Sequence, residues 1–234
     1  MPQSLNRQIL ELALPAFAAL VAQPLFVMAD TAIVGQLGTE PLAGLGVGST
    51  LTLAMVGAFI FLAYGSTATV ARLMGAGRQQ EAVESGIQAM WLAVVLGMGI
   101  GVVSWGFAPQ LAAWLGASGA VLEQAIAYLR WSLPGLPGMF LVLAATGTLR
   151  GMADGRTPML LAIGAAVLNL LGDVLLVFGF GMGIAGSGAA TALAETLMGL
   201  AAAGVVLRGA GRVGAARRPR AAGMSSRLPI MATR

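Results

Sequence analysis

Two carboxylates stand in stretches of sequence that otherwise carry no charge: Asp30 within LFVMADTAIVG and Asp173 within NLLGDVLLVFG. Asn169 precedes Asp173 by four residues, a spacing that puts both on one helix face. Tyr128 and Thr191 add hydroxyls from two further apolar stretches, and Glu195 follows Thr191 by one helical turn. Carboxylate, amide and hydroxyl oxygens are hard donors. They suit a proton or a small hard cation such as sodium, and they do not suit a soft metal. The chain has no cysteine and no histidine, which excludes a disulfide framework, a thiol nucleophile and a Cys/His metal site. Two carboxylates in one dry pocket cannot both keep a bare charge. A proton or a sodium ion, competing for the same oxygens, would relieve the repulsion and let the surrounding helices repack, which is a charge-driven two-state element. No organic cofactor is expected; the coupling ion, H+ or Na+, takes that place.

Each of these residues also has a plainer reading. Asp30 could lie near a span end and reach interfacial water. Asn169 and Asp173 could be a helix–helix hydrogen-bonding pair, Thr191 could bond back to its own helix, and Tyr128 could be a belt aromatic at the membrane surface. Glu195, near the middle of its apolar run, reads as a second proton site or a counter-ion for substrate, or else as a local partner of Gln88 or a threonine. Glu40, Glu81, Glu84, Glu123 and Asp154 fall in or near expected loops and read as solvated. The thirteen methionines read mainly as core filling.

The elements that must hold these groups are transmembrane helices. Hydrophobic residues make up 58% of the 234-residue chain and charged residues 9%, against about 25% charged in a soluble domain. A span needs about 20 mostly apolar residues, and six such runs occur: about Ile9 to Val34, Ala43 to Val70, Ile87 to Phe107, Trp131 to Leu149 with a helical start near Val121, Met159 to Phe180, and Ile184 to Leu207. The expected fold is therefore an all-α, six-helix membrane bundle over residues 1–207. Prolines and glycines inside the runs predict kinks, and the 34 glycines suit close helix packing in lipid. A cleavable signal sequence ending near Ala16-Phe17-Ala18 is a weaker reading, because the apolar run before it is short.

All thirteen basic residues are arginine. With six spans, Arg7, Arg72, Arg78, Arg150, Arg156 and the seven arginines from Arg208 onward fall on one side, which the positive-inside rule makes cytoplasmic along with both termini. Arg130 alone falls at the opposite end. Arginines placed at span ends orient a membrane protein, so the formal charge of +4 does not imply nucleic acid. Residues 208–234 read as an Arg-rich cytoplasmic tail, disordered or lying against anionic lipid. An echo links Arg72, Met74, Gly77 and Arg78 to Arg150, Met152, Gly155 and Arg156 at a constant offset of 78. It signals either convergent loop chemistry or a three-helix duplication of the kind transporters carry.

A rise of about 1.5 Å per residue puts Asp30 about 30 Å along the first span and Asp173 about 22 Å along the fifth, with Thr191 about 10 Å below the outer surface. Asp30, Tyr128, Asn169, Asp173 and Thr191 thus all belong to the outer half of the bundle.

Three segments resemble the multidrug and toxic compound extrusion (MATE) family: PAFAALVAQPLFVMADTAIVGQLGTEPLAGLGVG, with its V-G-x-L-G turn after the aspartate; LRGMADGRTPM; and NLLGDVLLVFGFGMGIAGSGAATALAE. The resemblance covers roughly residues 5–207 and points to the DinF-like (DNA-damage-inducible protein F) branch. It implies a lobe in which Asp30, Asn169, Asp173 and Thr191 form the cation site and Tyr128 is tied to the same network. It further implies antiport of protons or sodium against xenobiotic, drug-like organic substrates across a prokaryotic inner membrane. Family members have twelve helices in two lobes with the substrate cavity between them. Six helices here imply a truncated or frameshifted product or a fragment, completed by a second lobe or a second copy of the chain. A lipid-linked substrate flippase of the same superfamily would need a more basic cavity. An inert remnant is a further alternative. An intramembrane aspartyl protease would pair Tyr-Asp with Gly-x-Gly-Asp, whereas Ala29 precedes Asp30 and Leu170-Leu171-Gly172 precede Asp173.

Overall fold

In the computed structural model, residues 27–215 are described. The start of the first span, the Ala16–Ala18 stretch, Arg7 and the tail beyond residue 215 lie outside the described residues. Among the described residues all regular structure is helical. Five helical segments are long and apolar enough to cross a membrane, and they coincide with the second to sixth expected spans. Residues 27–35 form helix α1, the described end of the first.

The V-G-x-L-G turn ends α1. Leu37 N–H bonds Val34 O at 2.9 Å, and Gly38 takes φ of +124°, a conformation open to a residue without Cβ. Helices α2 (Thr39–Ala58) and α3 (Phe61–Gly75) then form one long span bent at Phe59–Ile60. α4 (Gln79–Gly106) is followed by the short α5 (Ala108–Trp114). The fourth span is α6 (Gly119–Ser132), a 3-10 turn (Leu133–Gly135) and α7 (Leu136–Gly151). The turn falls where Pro134 and Pro137 remove backbone donors, the kink expected from the sequence. α8 (Arg156–Asp173) runs directly into a π-helical turn (Val174–Gly179), and α9 (Ile184–Val213) closes the described chain.

The α6–α7 span is the axis of the bundle. α3, α4 and α9 pack around α7, α2 and α9 pack on α6, and α8 leans mainly on α9. Phe140, fully buried on α7, stacks against Phe59 at the α2–α3 bend with ring centroids 4.9 Å apart. At the α5 end of the bundle, Trp105 Nε1 donates to the Arg130 carbonyl at 3.0 Å, and the Arg130 guanidinium sits 5.7 Å from the Trp105 ring, a cation–π arrangement.

Three expectations change. Glu84 is not a solvated loop residue: α4 starts two turns before Ile87, so Glu84 is buried on its inner face and accepts from Gln80 Nε2 at 3.2 Å. Gln80 Nε2 also reaches the Gly214 carbonyl at 3.3 Å. α9 continues past Leu207 to Val213, so the first residues assigned to the tail are helical. Asp154 is not freely solvated either. Its carboxylate accepts from the Thr157 N–H at 2.9 Å and from the Thr157 hydroxyl at 2.5 Å, in the first turn of α8. Glu40, Glu81 and Glu123 are exposed as expected, with Glu81 paired to Arg78.

The 78-residue echo is out of register with the backbone. In the first loop the left-handed residue is Gly77, and Arg78 N–H reaches back to Leu73 O; in the second it is Ala153, with Asp154 N–H reaching Leu149 O. The hydrogen bonds and left-handed residues of the two turns correspond at an offset of 76, so the matching arginines do not occupy equivalent positions. This favours convergent loop chemistry.

Candidate cation site

Four helices converge on the residues singled out from the sequence. Asp30 on α1 is buried and accepts from the Ser187 hydroxyl of α9 at 2.6 Å. Asp173, the last residue of α8, is fully buried, and its carboxyl faces that of Asp30. Asn169, one turn earlier, is held by its neighbours in a single amide orientation. Its Nδ2 donates to Asp173 Oδ2 at 3.0 Å, while its Oδ1 accepts from the Thr191 N–H and hydroxyl, each at 3.2 Å. Tyr128 of α6 is buried beside Thr191. Its burial rules out the belt-aromatic reading, and the cross-helix contact of Thr191 replaces the back-bonded one. Asp30 likewise does not reach out to interfacial water.

Asp173 Oδ1 is buried and receives no hydrogen bond from the described residues. An acceptor of this kind, next to a second carboxylate, is deficient in positive charge by at least one proton or cation. The oxygens of Asp30, Asp173, Asn169, Thr191 and Ser187 are the groups able to share one. Among the described residues no set of three His, Cys, Asp or Glu could hold a metal ion, so an ion here would rely on neutral oxygens as well.

Beside this cluster α1, α2, α6, α7 and α9 enclose a cavity of about 280 Å³. Asp30, Tyr128 and Thr191 form one part of its wall, Glu195 another, and Leu, Val and Met side chains most of the remainder. Glu195 is not tied to Gln88, which is exposed on α4. Thr31 and Thr52, also in the wall, bond back to the Val27 and Gly48 carbonyls of their own helices.

Ser187 was not singled out from the sequence. The signal was there: Ser187, Thr191 and Glu195 recur every four residues along an otherwise apolar helix, one polar stripe facing inward. A hydroxyl bonded to a charged group contributes about 1.5–3 kcal/mol. Ser187→Ala is therefore expected to lower the stability of the chain by an amount of about that size, read as a drop in melting temperature, with Ser187→Thr retaining most of it. An unchanged melting temperature in the alanine variant would show that this bond does not hold α1 to α9.

The MatE family profile matches residues 15–175, well over half of the chain. The chain belongs to the MatE family. It is 31% identical over 193 residues to DNA damage-inducible protein F of Escherichia coli strain K12, covering 82% of this chain and 42% of that protein. It is 31% identical over 199 residues to the probable multidrug resistance protein NorM of Thermotoga maritima, with the same coverage of 82% and 42%. Among solved structures, an outward-facing multidrug resistance MATE family transporter superposes with a TM-score of 0.77 at 28% identity, over 83% of this chain and 43% of that one. The chain thus spans less than half the length of the relatives it matches, and its fold is that of one MATE lobe. It is a multi-pass membrane protein of a transporter family. That membership sets aside the aspartyl protease reading, although the two aspartates do meet.

Proposed function

We propose that this chain provides the cation-coupled lobe of an antiporter that exchanges protons or sodium for drug-like organic substrates across a prokaryotic inner membrane, with both termini cytoplasmic. The observation that carries this reading is the facing pair Asp30–Asp173, buried, drawn from α1 and α8, and short of positive charge. With the pair charged and unrelieved, repulsion favours separation of α1 from α8 and α9. With an ion shared between the carboxylates, the three helices close on it. An ion that binds one arrangement better than the other shifts the balance between them by that difference in affinity. A second lobe, or a second copy of this chain, would complete the substrate path. Among the described residues no basic side chain lines the cavity wall, which argues against the flippase alternative, whose anionic cargo would need one.

Everted membrane vesicles carrying the chain, alone and together with a carboxyl-terminal MATE half, test the proposal. A dye-efflux response to an imposed pH jump identifies protons as the coupling ion, and a response to a sodium jump identifies sodium. Absence of a gradient-driven response in both preparations would overturn the antiporter reading.

A further inference from the structure

The central α6–α7 span carries an arginine near each membrane face, Arg130 and Arg150. They stand about 20 residues apart, which at a rise of about 1.5 Å per residue is about 30 Å of helix, the thickness of a bilayer's hydrocarbon core. Arg130 therefore lies at headgroup level. Trp105, in contact with it, and Trp131, next to it in sequence, are half-exposed, as belt aromatics at that level are. Among the described residues Arg130 is the one arginine at its end of the bundle. Its side chain is exposed and has no acidic partner among the described residues.

A groove of about 340 Å³ opens beside it. Met98, Val102 and Trp105 of α4 form one wall, Pro134 and Pro137 at the bend of the central span form the other, and buried Gly101 is the floor. The sequence builds this shape. A Cβ on Gly97 would lie 2.6 Å from Pro137 Cα, and one on Gly101 would lie 3.3 Å from the Leu133 carbonyl oxygen, so α4 meets the bend with no side chain to fill the gap. Pro134 has no N–H to give the Arg130 carbonyl four residues earlier. The Trp105 indole donates to that carbonyl instead, at 3.0 Å. This bond pins the ring at the end of the groove, directly under the Arg130 guanidinium. From Trp105 to Met98 the groove follows α4 for about 10 Å toward the membrane centre.

We propose that this groove seats an anionic phospholipid, with its phosphate on the Arg130 guanidinium and one acyl chain along Met98, Val102 and Pro137. Charge decides the occupant. An unpaired guanidinium at headgroup level presents a fork of N–H donors that fits a phosphate bidentately. In a zwitterionic lipid the headgroup's own ammonium competes for that phosphate; in an anionic one the charge is left for Arg130. A helix, about 10–12 Å across with its side chains, is too wide for a groove of this volume, whereas a single acyl chain is not. The seat depends only on the membrane placement of the chain and is independent of the ion or substrate the lobe handles.

The test uses the full chain with the exposed Trp91, Trp114 and Trp131 replaced by phenylalanine, which leaves Trp105 as the one tryptophan. The protein is placed in phosphatidylcholine bilayers that contain a small fraction of phospholipid brominated in the upper part of its chains. Bromine quenches an indole only near contact, so anionic lipid gathered by the arginines at the opposite face, about 30 Å away, does not contribute. Brominated phosphatidylglycerol is expected to quench Trp105 with roughly fivefold higher apparent affinity than brominated phosphatidylcholine. Arg130→Gln should bring that ratio to about one, and Arg130→Lys should keep most of it. Taking the ratio cancels any shift of the Trp105 ring common to both lipids. A ratio near one before the arginine is changed, or an unchanged ratio in Arg130→Gln, overturns the seat. So does loss of the preference on adding inorganic phosphate, which would mean that a phosphate is held without its chain.

Discussion

In the proposed antiporter, Asp173→Asn is expected to abolish ion-driven exchange, lowering the initial rate by on the order of a hundredfold, without unfolding the protein. Asparagine has nearly the shape of aspartate and can still meet Asn169, so the packing of α8 on α9 is retained. What it removes is the negative charge at an oxygen that no described group satisfies. With one carboxylate left, Asp30 is already served by Ser187, and the need to take up a proton or cation is gone. The same change should leave stability equal or higher, because a buried charge costs about 3 kcal/mol in a membrane span and a neutral amide avoids most of that. Exchange assays in vesicles, paired with thermal unfolding of the purified protein, read both arms. Full exchange in the variant would eliminate the carboxylate pair from coupling, and a lower melting temperature would mean that Asp173 serves mainly as a structural partner.

The second large effect is expected at Gly188. A Cβ there would lie 2.5 Å from the Tyr128 carbonyl oxygen and 3.2 Å from the Ser132 nitrogen, both on the backbone of α6, which cannot rotate away as a side chain would. Alanine normally gains about 1 kcal/mol over glycine inside a helix. Overpacking against a fixed backbone costs about 1–3 kcal/mol, so at Gly188 the sign should reverse. Gly188→Ala should destabilise the chain and, by pushing α9 off α6, carry Ser187 and Thr191 away from Asp30 and Asn169, with exchange falling in parallel. Gly204→Ala on the same helix is the control: its Cβ would meet nothing within 4 Å, and the variant should be neutral or more stable. Equal melting temperatures for the two variants would show that the α6–α9 contact is not tight in the membrane.

Much of this arrangement was legible in the chain because lipid makes the code simple. Spans two to six follow from apolar runs with arginines at their ends, and Asp30, Asn169, Asp173 and Thr191 stood out because polar side chains inside such runs need partners. That Asp30 and Asp173 face each other followed only loosely from depth arithmetic, which fixes height but not rotation. Glu84 was misread because helix ends extend beyond the apolar run: α4 is covered near its start by the end of α9, and a polar residue there is buried by protein, not by lipid. The π-helical turn after Asp173 left no trace in residue types, since it is a choice of backbone hydrogen bonding within VLLVFG. Ser187 was overlooked because a serine between two glycines reads as packing until the helix phase puts it in line with Thr191. The arginine echo could not be decided from letters alone, because identical residues stand two positions out of step with the turns that hold them.

The central α6–α7 span has consequences for how the protein is made. The apolar 18-residue core of this span has the lowest mean hydropathy of the five described spans, 1.4, and 78% of that core is enclosed, whereas the corresponding core of the α8 span has 2.3 with 22% enclosed. A segment mostly enclosed by its neighbours has little need to be greasy, but during synthesis it leaves the translocon before α8 and α9 exist to shelter it. Its entry into the bilayer then depends on the helices made before it, with α3 and α4 acting as its first hosts. Sequence changes that leave the finished lobe unaltered but weaken those early contacts would appear as lost yield rather than lost transport.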